Sequence, residues 1–397
     1  MDDARPAKMQ KVGAGAAPAP VEDAARSGAT VQMPRFQQTM LRVKDPKVSV
    51  PFYERNFEMK LVHWMKFSNW GFTVYFLERQ REGQISPPCS MEQTSVECEH
   101  YLHSMEGTTV ELTHNHGTEA DPNFKGYWNG NTGKDASGDL FAETPAARGF
   151  GHIAFNVDDV DDACAKLEKS GVSFQKKPNE GRMKGLAFAL DPDGYWIEIC
   201  SRTGKLGWPE HQNLSQTMLR VKDGPRSVEF YTKHLGMTLL RRSDFEKLKF
   251  SLFFLASLSP EELRLAADER ARRRTSQKSR ARSSSPSSSS SSSDDGLPSP
   301  SELWNPVLEL TWNHGTEHDA DFRVHDGNSE PRGFGHIGFL VDDIEGTCAR
   351  MEADGVQFKK RPADGNMRGI AFAYDPNGYW VELIDRKASF AGVCDNY

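Results

Sequence analysis

Two glutamines, two histidines and four glutamates in this chain combine donor chemistry with a strict repeat. His152 lies in Arg148-Gly149-Phe150-Gly151-His152-Ile153, and the same six letters return as Arg332-Gly333-Phe334-Gly335-His336-Ile337. Glu111 opens Glu111-Leu112-Thr113-His114-Asn115-His116-Gly117-Thr118-Glu119, which returns from Glu309 to Glu317 with Trp312 in place of His114. Gln38 and Gln216 head identical copies of Gln-Thr-Met-Leu-Arg-Val-Lys-Asp, while Glu198 and Glu382 close two copies of Gly-Tyr-Trp-(Ile/Val)-Glu. One imidazole nitrogen and three oxygens per half suit a hard or borderline divalent ion in an open site, unlike the thiolate cage of structural zinc. An open site points to catalysis.

These donors need strands to aim them. Side chains alternate across a strand, so Gln38, Met40 and Arg42 share one face and Thr39, Leu41 and Val43 the other. Glu111, Thr113 and Asn115 share a face in the next motif, as do His152 with Ala154 and Glu198 with Trp196. A buried carboxylate without a cation is expensive. The cation is therefore either a metal or an arginine, and Arg42 and Arg148 stand as the structural alternative. For the histidines the competing role is a core imidazole bonded to a backbone carbonyl.

The repeats describe a domain duplication with loop insertions, since the offset between copies widens across residues 257–303 and narrows again across 131–147. The expected layout is a disordered leader to residue 35, a first half over 36–205, a linker over 206–211, a second half over 212–387 and a tail over 388–397. The insertion at 257–303, with its basic run Arg270 to Arg274 and serines 287–293, reads as a solvated loop. Asp45-Pro46 starts a helix that Pro51 should bend. Further helices begin near Asp158-Asp159 and Asp342-Asp343 and stop at Gly171 and Gly355.

Composition narrows the partners. The 397 residues carry a net charge of −7, which disfavours a nucleic-acid surface and leaves a small molecule as the expected partner. Six scattered cysteines form no metal-type pair and suggest a reducing compartment. No apolar run is long enough to span a bilayer, and Met1-Asp2-Asp3 opens no secretory signal. A cytoplasmic protein without nucleic-acid or membrane partners is expected.

Together the four motifs resemble the glyoxalase I (lactoylglutathione lyase) family in its fused two-repeat form, over residues 36–205 and 212–387. The resemblance implies an α+β fold: tandem glyoxalase-type halves, each of paired βαβββ modules, the vicinal-oxygen-chelate fold. It also implies metal sites shared between halves, Gln38 and Glu111 with His336 and Glu382, and Gln216 and Glu309 with His152 and Glu198. The ion expected by resemblance is zinc, with nickel and cobalt fitting the same donors. Glutathione, as part of the substrate, would be held by Arg42, Asn115, Arg332 and Lys360 at one site, and by Arg220, Asn313, Arg148 and Lys176 at the other.

The implied reaction isomerises the hemithioacetal of methylglyoxal and glutathione to S-lactoylglutathione. It needs a base for a weakly acidic C–H proton and an electrophile for the enediolate that follows. The resemblance makes Glu198 and Glu382 the bases, with Glu111 and Glu309 as their counterparts. Duplication within one chain makes a monomer sufficient. An iron-dependent dioxygenase of the same superfold would need two histidines and one carboxylate, for which only His116 and His314 offer a second repeated pair. A glutathione-conjugate binder without turnover is the other alternative. Trp64 to Gly71 departs from Ser243 to Lys249 in a stretch expected to line the apolar pocket, so two unequal sites are expected.

Overall fold

The computed structural model describes residues 33–131, 148–181, 183–202, 204–280 and 297–396. Residues 1–32, the first-half insertion after Asn131 and the serine run 287–293 lie outside the described residues.

Four βαβββ modules follow one another. The first comprises β1 (Arg35–Val43), α1 (Pro46–Phe57), β2 (Lys60–Phe67), β3 (Phe72–Glu78) and β4 (Thr109–Asn115), with α2 (Val96–Ser104) between its last two strands. The second is β5 (Phe150–Val157), α3 (Val160–Lys169), β6 (Phe174–Lys176), β7 (Leu186–Leu190) and β8 (Trp196–Ser201). The third is β9 (Gln212–Val221), α4 (Gly224–Leu235), β10 (Thr238–Phe245), β11 (Phe250–Ala256) and β12 (Val307–Asn313), with α5 (Pro260–Arg280) inserted. The fourth is β13 (Phe334–Val341), α6 (Ile344–Ala353), β14 (Phe358–Lys360), β15 (Ile370–Tyr374) and β16 (Trp380–Asp385).

The modules do not pair in chain order. One eight-stranded sheet runs β14-β15-β16-β13-β1-β4-β3-β2, and the other β10-β11-β12-β9-β5-β8-β7-β6. The first module therefore shares a sheet with the fourth and the second with the third. Thr39 pairs with Ile337, and Ile153 with Thr217, at the two antiparallel seams.

Local chemistry explains the helices. Asp45 accepts from Lys47 N at 2.9 Å and Pro46 follows in the first turn, while Asp159, Asp223 and Asp343 cap their helices in the same way. The first helix continues through Pro51 to Phe57. Gly171 and Gly355 follow α3 and α6 with φ of 82° and 85°.

The face carrying Leu41 and Val43, both fully buried, packs toward the other sheet. There Thr39 and Thr217 meet hydroxyl to hydroxyl at 2.6 Å, and Phe150 stacks on Phe334 at 5.1 Å. The Asp-Pro-x-Gly-Tyr motif ties the sheets together. Asp191 accepts from Tyr195 N and from the Tyr53 hydroxyl, and the Tyr195 hydroxyl donates to the Arg42 carbonyl at 3.1 Å. Tyr379 does the same for Arg220 at 3.0 Å.

Where a solvated loop was expected over 257–303, Pro260–Arg280 is a helix of 21 residues. Ser259 and Glu262 form a reciprocal cap, with Ser259 N donating to Glu262 Oε2 at 2.8 Å and Glu262 N donating to Ser259 Oγ at 3.1 Å. Ala266 anchors it in a cluster with Leu206, Phe254 and Leu303. Serine content dominates only the later part of the insertion, so the earlier part has both a cap and an apolar contact. The linker buries Leu206 and Trp208, and the tail buries Ala388, Phe390 and Cys394.

Candidate metal centres

Sheet pairing across the halves brings Gln38 of β1, Glu111 of β4, His336 of β13 and Glu382 of β16 to one point. Gln38 Nε2 lies 2.5 Å from Glu111 Oε2, 2.7 Å from Glu382 Oε2 and 3.1 Å from His336 Nε2. His336 Nε2 is 3.1 Å from Glu111 Oε2 and 3.0 Å from Glu382 Oε2. All four residues are buried.

The donor set fits a divalent cation. A primary amide nitrogen carries two hydrogens, yet Gln38 Nε2 faces three acceptor atoms. Turning the amide about its own axis presents Oε1 instead, and the two orientations are equivalent in shape. Four donor atoms then converge with mutual spacings near 3 Å, the separation of ligands around one small ion. The cluster also calls for positive charge. Burial opposes the imidazolium, but Glu382 and Glu111 outweigh it and raise His336 to about 9. Burial likewise raises Glu382 above the usual carboxylate range, against the pull of His336.

The second centre is built from the other sheet. Gln216 Nε2 lies 3.2 Å from His152 Nε2, 2.8 Å from Glu198 Oε2 and 2.7 Å from Glu309 Oε2. His152 stands 3.2 Å from Glu198 and 3.8 Å from Glu309, and these carboxylates raise it to about 9 despite its burial. These two groups are the His-carboxylate clusters with metal-ligand spacing among the described residues. His116 and His314 bond instead to Thr73 and Ser251, so no set of two histidines and one carboxylate forms among the described residues.

Among the described residues no arginine forms an ion pair with these glutamates. Arg42 donates to the carbonyls of Gly333 and Phe334 at 3.1 and 3.2 Å and to Asn328 Oδ1 at 2.7 Å. Arg220 is held in the same manner by Gly149, Phe150 and Asn131. Arg148 is exposed and its charge is felt at Arg220.

A cavity of about 310 Å³ opens on the first centre, and Arg42, Asn115 and Arg332 line it. Asn115 donates to the Tyr127 hydroxyl at 2.8 Å, and Arg332 pairs with Glu330 at 2.9 Å. Lys360 does not reach the lining; its ammonium donates to the carbonyls of Met367 and Ile370. Lys176 is similarly bonded to Leu186, and Asn313 is exposed at the end of β12.

Motif reading missed Asn131 and Asn328, although Asn129-Gly130-Asn131 and Asp326-Gly327-Asn328 are a fifth repeated feature. Gly149 and Gly333 of Arg-Gly-Phe-Gly-His serve close approach, because a Cβ there would collide with the carbonyl oxygens of His325 and Trp128.

The Glyoxalase/Bleomycin resistance protein/Dioxygenase superfamily model matches residues 35–199, 213–284 and 304–383. Glyoxalase I of Saccharomyces cerevisiae is 38% identical over 359 residues, 88% of this chain and 91% of the yeast protein. Lactoylglutathione lyase of Schizosaccharomyces pombe is 36% identical over 356 residues, 89% of this chain and 97% of that protein. The crystal structure of glyoxalase I from Zea mays has the same fold, with a TM-score of 0.57, 24% identity and coverage of 91% and 95%. With two centres of two carboxylates, an imidazole and an amide each, built across a duplicated α+β fold, the chain belongs to the glyoxalase I (lactoylglutathione lyase) family.

Proposed function

We propose that this chain isomerises the hemithioacetal of methylglyoxal and glutathione to S-lactoylglutathione at both centres. The observation that carries the reading is the convergence of Gln38, Glu111, His336 and Glu382 on one buried point beside a cavity with basic residues at one end. Gln38, Glu111, His336 and Glu382 would hold a divalent cation, zinc on the family resemblance, which would supply an electrophile for oxygen charge developing as the C–H proton leaves.

The protein groups do the rest. Arg332 and Asn115 orient the glutathione carboxylates at the basic end, with Arg42 fixing the turn that presents Arg332. A carboxylate oxygen of Glu382 takes the proton from the carbon bearing sulfur and returns it to the neighbouring carbon, which needs one base and no redox partner. Glu111 faces the same point from the other module. The apolar wall of Phe67, Phe72 and Phe76 excludes water while the proton is in transit. Glu198 and Glu309 play these parts at the second centre.

The centres are unequal in this reading. Beside the first lies a chamber that α2 and the tail help to line with Leu102, His103 and Phe390, while β10 beside the second carries exposed Arg241, Arg242 and Asp244. A monomer in the cytoplasm agrees with two centres completed within one chain, with no cysteine in a disulfide and with no described helix long and apolar enough to cross a membrane.

The test is formation of thioester absorbance from methylglyoxal and glutathione by the purified chain. Activity that disappears with chelator and returns with zinc is the expected result. Thioester formation indifferent to chelator would overturn the metal-dependent mechanism.

A further inference from the structure

The cavity at the first centre has two chemically different ends. Strand register orders them: Arg42 pairs with Thr113 and lies toward Arg332, whereas Gln38 pairs with Thr109 and with Gly338. Continuing past Gln38, the start of β1 runs alongside Leu340, whose neighbour on β16 is Ile384. Ile370, Leu102 and Phe390 complete an apolar end there. If glutathione is held at the basic end, as proposed above, the aldehyde's own substituent occupies the apolar end.

That end contains an unexpected polar pair. Gln37 is 1% exposed, lines the cavity and has neither amide atom bonded within the protein. Register slips between Phe36 and Gln38 where β1 meets β13, and such a bulge brings consecutive side chains to one face. A buried amide left unbonded is unfavourable, and a methyl substituent offers it no hydrogen bond. His103 lines the same end. Its Nδ1 lies 3.0 Å from the Ala388 carbonyl, so Nδ1 carries the proton and Nε2 is an acceptor. Burial keeps this imidazole below its ordinary pKa, hence neutral. The second centre differs, with Ser215 at the position of Gln37 and Leu206 at that of Phe390.

We infer that the first centre is built for 2-oxoaldehydes whose substituent is an apolar or aromatic body ending in a hydroxyl, which Gln37 and His103 recognise at the far end of the chamber. A hydroxyl both donates and accepts, matching the amide oxygen of Gln37 on one side and its NH₂, or the imidazole acceptor, on the other. A site that hydrogen-bonds a substrate hydroxyl discriminates strongly against the analogue lacking it. The inference rests on the lyase reading for its orientation of substrate.

The experiment uses the zinc-loaded full chain with the second centre disabled by Glu198→Gln. Hemithioacetals of phenylglyoxal and 4-hydroxyphenylglyoxal are compared by kcat/KM, and a preference of about tenfold for the hydroxylated adduct is expected. Gln37→Leu should reduce that ratio to about one. Independently of turnover, S-(4-hydroxybenzyl)glutathione should bind the native chain at least about fivefold more tightly than S-benzylglutathione by calorimetry. Equal binding of the two conjugates, or a kinetic preference that survives Gln37→Leu, overturns the inference. Failure to turn over any adduct, methylglyoxal included, would instead count against the lyase reading, and the binding ratio would still decide this one.

Discussion

Gln38 Nε2 lies 2.7 Å from Glu382 Oε2 across 344 residues of chain, so each centre is completed by the opposite half. Glu382→Gln should therefore silence the Gln38 centre and leave the Gln216 centre working, and Glu198→Gln should do the reverse. Loss of a general base lowers turnover by roughly 10²–10⁴ at the affected centre. The two single variants should retain unequal rates with methylglyoxal, and the double variant almost none. Equal residual rates would show that the centres are equivalent.

Gly338 faces Gln38 across the seam, and a Cβ on it would lie 2.6 Å from Gln38 Cγ. The matching position beside Gln216 is already Ala154. Gly338→Ala should push Gln38 out of line and weaken metal binding at the first centre by about 10–100-fold, the range for lost support of a ligand. Metal titration of the variant should show one tight site and one weakened; two unchanged sites would show that Gln38 accommodates the methyl group as Gln216 accommodates Ala154.

Gly149 and Gly151 offer a contrast within one motif. A Cβ on Gly149 meets the carbonyl oxygen of His325, which the backbone holds in place, while one on Gly151 meets the flexible end of Met218. Gly149→Ala should lower unfolding free energy by about 1–3 kcal/mol, and Gly151→Ala by clearly less. Denaturant unfolding of both variants reads the difference, and equal losses would refute it.

His63 is fully buried beside Phe76, its Nδ1 2.7 Å from Thr94 Oγ1, and burial, assisted by His103, lowers its pKa to about 3. The unfolded chain protonates this residue near 6.5 and the folded chain does not. Its contribution to stability is whole above pH 6.5 and is lost as pH falls toward 3, by up to about 1.4 kcal/mol per unit. His63→Gln should flatten the acid side of the stability curve relative to the native chain. An unchanged slope would show that His63 does not contribute.

Much of the site was legible before any fold was known. Strand parity correctly separated Gln38, Met40 and Arg42, which line the cavity, from Leu41 and Val43, which enter the core. Duplicated motifs exposed every residue of the two buried clusters, because residue type and alternation are local properties that each copy states afresh. The pairing of Gln38 with His336 came from the family resemblance, since alternation records which face a residue takes and not which distant strand lies beside it.

Tertiary structure decided the rest. Gln37 lines the same cavity as its neighbour Gln38, where the register of β1 against β13 slips between Phe36 and Gln38. Arg42 lines the cavity and is at the same time held by carbonyls of a turn more than 280 residues away. The tail and α5 became structured through apolar contacts to Phe390 and Ala266 that no local pattern announces. Sequence alone determined the candidate residues, the duplication and the face each of them takes; the fold determined which of them meet and what shape surrounds them, because register and burial depend on partners far along the chain.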